Sequence, residues 1–140
     1  MSKRSTPALL LGTATFLLIA CSGSANNVQT IKVVAQTMQF QPDTIEVVAG
    51  QPVNLTFQNN DTVEHDFSIL EIPVTSVGAT SDPMAEHVMT TDPQLHTAAS
   101  MSQTSSIDFT PTKAGSYEYF CTVPGHKEAG MKGTLIVKAP

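Results

Sequence analysis

From Thr30 the chain falls into a two-residue rhythm of apolar and polar positions. Ile31, Val33 and Ala35 alternate with Lys32, Val34 and Gln36, and β-branched residues at that period predict a half-buried strand. After Met38-Gln39-Phe40 the chain turns at Pro42 and Asp43, and Thr44 to Val48 predicts a second strand. Ala49-Gly50-Gln51-Pro52 reads as another turn. Val53, Leu55 and Phe57 then alternate with Asn54, Thr56 and Gln58 as a third strand. Beyond the polar loop Asn59 to Thr62, His65 opens a fourth, with Phe67 and Ile69 following it on one face. Alternation returns at Ser105 to Thr110 with Ile107 and Phe109 inward. It returns again at Ser116 to Cys121, with Tyr117, Tyr119 and Cys121 on one face, and at Gly133 to Lys138, with Leu135 and Val137. About seven or eight strands separated by turn signals predict an all-β sandwich or barrel.

The stretch from Ile72 to Ser102 keeps no such rhythm. Asp82 to Met89 has the makings of a short helix, with Asp82 as N-cap and Pro83 in the first turn. Met84, His87 and Met89 raise the question of a second metal site. Their spacing matches no recurrent metal pattern, and a surface loop packing its methionines on the barrel is the better reading.

The N-terminus carries a different signal. Lys3 and Arg4 precede an uncharged apolar run from Pro7 to Ala20, too short to span a bilayer and suited to the hydrophobic region of an export signal. It ends in Leu18-Ile19-Ala20-Cys21, which resembles the lipobox of bacterial lipoproteins, where the cysteine is lipidated and becomes residue one; the plain alternative is an ordinary signal peptide. Residues 1–20 are thus expected to be a signal peptide, 21–29 a lipidated Cys21 and small polar tether, and 30–140 a single domain. Without residues 1–20, five basic side chains face twelve acidic ones. That balance excludes nucleic acid, whose phosphates need clustered Lys and Arg, and mildly favours a basic partner protein.

The chemistry concentrates near the C-terminus. Cys121, His126 and Met131 lie five residues apart on a loop between two predicted strands. Thiolate and thioether suit copper(I) and imidazole suits copper(II), so this mixture fits a one-electron copper centre that still lacks a second imidazole. His65 could supply it if its strand lies beside Ser116 to Cys121. A histidine on an apolar strand face is otherwise a hydrogen-bonded core residue, and the residues alone leave both readings standing. If Cys21 carries lipid, Cys121 has no partner for a disulfide in an oxidising compartment, and a metal bond would explain its survival. A nucleophilic Cys121–His126 pair leaves Met131 unexplained, and a dinuclear copper site would need a second cysteine in the loop.

The segment YFCTVPGHKEAGMKGTLIV, together with MQFQPDTIEVVAGQPVNLTFQNND and the histidine soon after it, resembles the cupredoxins, the small blue copper proteins, and among them most of all the auracyanin type. The likeness runs from about Thr30 to Val137. It implies a Greek-key β-sandwich holding one type 1 copper ion that cycles between Cu(I) and Cu(II). His65, Cys121 and His126 would be its close ligands and Met131 a weak axial one. It further implies an electron carrier and not an enzyme, a monomer exchanging electrons with membrane cytochrome complexes, soluble cytochromes or an oxidase. Such a protein is expected to be exported by a bacterium and lipid-anchored at the membrane, facing the periplasm or extracytoplasmic space. Many cupredoxins carry Asn after the first ligand histidine, where this chain has Asp66; its carboxylate can accept from the Thr122 hydroxyl or loop amides but cannot donate. The competing reading is a copper storage or delivery protein, for which Met84, His87, Met89, His96 and Met101 provide further soft donors.

Overall fold

The computed structural model describes residues 27–80 and 92–140. The export signal, Cys21 and the proposed helix at Asp82 to Met89 lie outside them. The described residues form ten strands and no helix: β1 (Gln29–Gln36), β2 (Gln39–Gln41), β3 (Thr44–Val48), β4 (Val53–Asn59), β5 (His65–Ile69), β6 (Val74–Thr80), β7 (Leu95–Ala99), β8 (Thr104–Pro111), β9 (Gly115–Phe120) and β10 (Lys132–Lys138). They pair into two five-stranded sheets, β2-β1-β4-β8-β6 and β3-β10-β9-β5-β7.

The all-β expectation holds, with more strands than the seven or eight expected, so His65 opens the fifth and not the fourth. The extra strands each hide their period. Three residues make β2 too short to show one. In β6 the register against β8 shifts between Thr75 and Gly78, which throws the alternation out of phase. β7 buries four of its five residues, so it has no polar face to alternate with. Two pairings are parallel, β1 with β4 and β3 with β10.

The core fills the space between the inner faces. Val33, Ala35, Leu55, Phe57, Ile107 and Phe109 come from one sheet, and Val47, Phe67, Ile69, Tyr119, Leu135 and Val137 from the other. Aromatic rings knit the two together. Phe40 meets Phe57, Phe67 and Tyr119 edge-on with centroids 6.1, 6.4 and 5.2 Å away, and Phe67 stacks on Tyr119 at 4.8 Å. Burying each such ring contributes about 1.5–3 kcal/mol. The Tyr119 hydroxyl donates to the Pro42 carbonyl at 2.7 Å, so the ring's polar end is satisfied at the core's edge. Gly133, opposite Tyr119 on β10, is there because any Cβ would overlap the Tyr119 ring and the Asp43 carbonyl.

β5 is the strand on which the chemistry rests. It lies between β9 and β7, and all five of its residues are buried. Burial on both faces leaves its polar members no access to water, so each must find a protein partner.

Candidate metal centre

Two parts of the chain build the centre: the first residue of β5 and the loop from Cys121 to Met131. Cys121 follows directly on β9, and the loop is tied together by its own backbone. The His126 amide donates to the Val123 carbonyl, Ala129 to Gly125, Gly130 to Lys127 and Met131 to His126, each at 3.0 Å. Gly125 and Gly130 take φ of 86° and 102°, conformations that favour glycine and that the two reversals of direction require. The Cys121 amide donates to the Met131 carbonyl at 3.2 Å and closes the loop at its base. Met131 is thereby bonded through its backbone to both Cys121 and His126, and its side chain is fully buried in the core.

Three candidate donor atoms converge. His65 Nδ1 lies 3.2 Å from His126 Nδ1 and 3.8 Å from Cys121 Sγ, and Cys121 Sγ lies 3.4 Å from His126 Nδ1. A point equidistant from all three sits about 2 Å from each, the scale of bonds from a first-row metal to imidazole and thiolate. His65 and Cys121 are fully buried; His126 is partly exposed.

The electrostatics suit a metal as well. His65 Nε2 lies 3.0 Å from Asp61 Oδ2, and because a carboxylate can only accept, Nε2 carries the proton of that bond; in the neutral ring Nδ1 is then the lone pair facing the other two donors. Burial, with a smaller contribution from His65, holds the His126 ring below its ordinary value and keeps it neutral at pH 7. Burial also pushes the Cys121 thiol up, helped by the negative charge of Asp66, to about 12. Without a metal the sulfur therefore keeps its proton, and a bound cation has to displace it.

Asp66 and Thr122 make the contact expected of them. Asp66 is fully buried; it accepts from the Thr122 amide at 3.0 Å through both oxygens and from the Thr122 hydroxyl at 2.8 Å. Ser68 Oγ donates to Asp66 Oδ1 at 2.8 Å and meets His96 Nδ1 at 2.9 Å. His96 thus lies in a hydrogen-bonded row behind the centre, across from Ser68 in the β5–β7 register. Met101 is exposed in the turn after β7. Met84, His87 and Met89 lie outside the described residues. Lys127 pairs with Glu118 and caps the Phe120 ring at 3.9 Å.

Sequence reasoning missed two residues that shape the site, Asn59 and Asp61. Asn59 is fully buried, and its amide donates to the carbonyls of Val63 at 2.7 Å and Ala99 at 2.9 Å while its oxygen accepts from the Asp61 amide at 2.9 Å. Burial alone would raise the Asp61 carboxyl, but bonds from the Met38 and Thr37 amides and from His65 outweigh it and hold it below its ordinary value. The available signal was Asn59-Asn60-Asp61, a side-chain-capped turn ending four residues before a histidine.

Comparison with known proteins agrees with this architecture. The chain is 35% identical over 112 residues to the copper-resistant cuproprotein CopI of Rubrivivax gelatinosus, covering 79% of this chain and 67% of that one. It is 29% identical over 126 residues to auracyanin-A of Chloroflexus aurantiacus, covering 83% and 77%. The solved structure of auracyanin A, described as a blue copper protein, superposes with a TM-score of 0.60 at 25% identity, covering 80% of this chain and all of that one. Residues 8–137 match the family described as the cupredoxin-like domain, and to that family the protein belongs.

Proposed function

We propose that His65, Cys121 and His126 would hold one copper ion, with Met131 as a further, weaker donor, and that the protein passes single electrons between redox proteins. The observation that carries this reading is the convergence of two imidazole nitrogens and one thiol sulfur around a point about 2 Å from each. Copper held in such a mixed soft and hard donor set supplies one-electron chemistry, cycling between Cu(I) and Cu(II). The protein's part is to keep the donors still. β5 is buried on both faces, the loop is bonded to itself, and Asp66 anchors Thr122 beside Cys121. Partly exposed His126 would be the outlet for the electron. On the same loop, Val123 and Pro124 with exposed Leu70 line a small surface that suits brief docking.

Copper(II) added to the purified protein tests this. An intense visible thiolate-to-copper band and reversible one-electron voltammetry are expected; a colourless or irreversible product would sink the proposal. Cys121→Ser should abolish the band, and Met131→Leu should keep it while raising the potential.

A second reading, copper handling without electron transfer, draws support from the 35% identity to a copper-resistant cuproprotein. Cells lacking the gene separate the two. Loss of copper tolerance with unchanged electron flux favours handling, and the reverse favours transfer.

The proposal extends to place and partners. Cys21 carries the lipid, the tether lets the domain diffuse along the extracytoplasmic face of a bacterial membrane, and cytochromes or an oxidase exchange its electrons. Radioactive palmitate should label the native protein and not Cys21→Ser.

A further inference from the structure

The turn between β1 and β2 is built from residues that disfavour its conformation. Gln36 pairs with Gln39, so the turn has two residues, Thr37 and Met38, with φ of 51° and 58°. Hairpin turns with two left-handed residues favour Asn-Gly or Asp-Gly, and a β-branched residue in that region is an outlier. Such strain persists only where surrounding contacts impose it. Here both turn amides point at one carboxylate: the Thr37 N–H donates to Asp61 Oδ1 at 2.8 Å and the Met38 N–H to Asp61 Oδ2 at 3.0 Å. Successive amides of this kind form an anion-binding concavity. The third donor to the same carboxylate is His65 Nε2, on the oxygen that Met38 also uses. Asp61 is held from behind as well, since its own amide donates to the buried Asn59 side chain.

We propose that Asp61 is a positioning residue for the metal centre, holding His65 as the Nε2–H tautomer with Nδ1 aimed inward, and that the Thr37–Met38 turn keeps its strained shape because its two amides hold Asp61 in that pose. The first hairpin, remote in sequence from the Cys121 loop, becomes part of the site through a single carboxylate. This rests on the reading of His65 as a metal-holding residue.

Replacing Asp61 by Asn removes the anion and leaves one amide oxygen for three N–H donors, with the Nδ2–H group turned toward at least one of them. The acceptor at Nε2 is then uncharged or displaced, and the Nδ1–H tautomer, which blocks the metal-facing nitrogen, gains population. Two measurements on Asp61→Asn test the proposal. Nitrogen-15 spectra of the metal-free protein should show the His65 tautomer shift, and competition against a chelator should show copper(II) affinity falling about 10–100-fold, with the reduction potential rising. A merely structural aspartate would move stability without moving the tautomer or the potential. Unchanged tautomer and affinity in the variant would overturn the proposal. Should the variant fail to fold, the metal-free native protein decides: a His65 ring protonated at Nε2 supports the proposal, and one protonated at Nδ1 overturns it. Failure of the native protein to take up copper with colour would instead sink the electron-transfer reading on which this rests, so the two failures are separable.

Discussion

At the scale of single residues, Asp66 sets the chemistry of the sulfur beside it. Its carboxylate accepts from the amide and hydroxyl of Thr122, from the Ser68 hydroxyl and, at 3.8 Å, from the Cys121 thiol, and these donors hold it in a buried position. Burial first, and the Asp66 charge in addition, keep the metal-free Cys121 protonated far into the alkaline range. Metal binding should therefore release one proton from Cys121, while His126, already neutral, releases none. Apparent affinity for a redox-inert ion such as cobalt(II) is expected to rise about tenfold per pH unit between about pH 7 and 9, read by titration in weak buffer. Asp66→Asn removes the charge but retains an oxygen acceptor. The Cys121 thiol should titrate at a lower pH than in the native protein, as followed by thiolate absorbance, and the reduction potential of the copper form should rise.

The elements show what could be read in advance and what could not. β3 was legible to its end residues because Thr44-Ile45-Glu46-Val47-Val48 is bounded by Pro42-Asp43 and Ala49-Gly50, and β4 lost only its last residue. Cys121, His126 and Met131 were legible because a thiol, an imidazole and a thioether share one short loop, whereas His65, 56 residues earlier, joined them only through the family resemblance. Asn59 and Asp61 were not, since a polar Asn-Asn-Asp-Thr stretch reads as any surface turn until folding brings Met38 and His65 against it. The turn they meet supplies its own test. Replacing Thr37 and Met38 together by Asn and Gly keeps both amides and relieves the left-handed strain, and should stabilise the protein against urea by about 1 kcal/mol. Gly133→Ala should do the opposite. Its Cβ would drive into the Tyr119 ring and the Asp43 carbonyl, and a loss of about 1–3 kcal/mol in the same unfolding measurement is expected.

For the molecule as a whole, charge and burial act over longer distances. Twelve acidic side chains and few basic ones give the domain a negative field, which steers a cationic partner toward it. If a basic cytochrome is the physiological partner, its second-order electron-exchange rate should fall several-fold from about 10 to 200 mM salt, as the screening length shrinks. A rate indifferent to salt would point to docking through the apolar surface at Leu70 and Val123 alone. The closure of the centre has a consequence of its own. His65, Cys121 and Met131 are fully buried and His126 is partly exposed, so among the described residues the way in is past His126. A copper ion held there would have to pass that one ring to leave, so its transfer to an added chelator is expected to be slow, as the decay of the visible band over time would show.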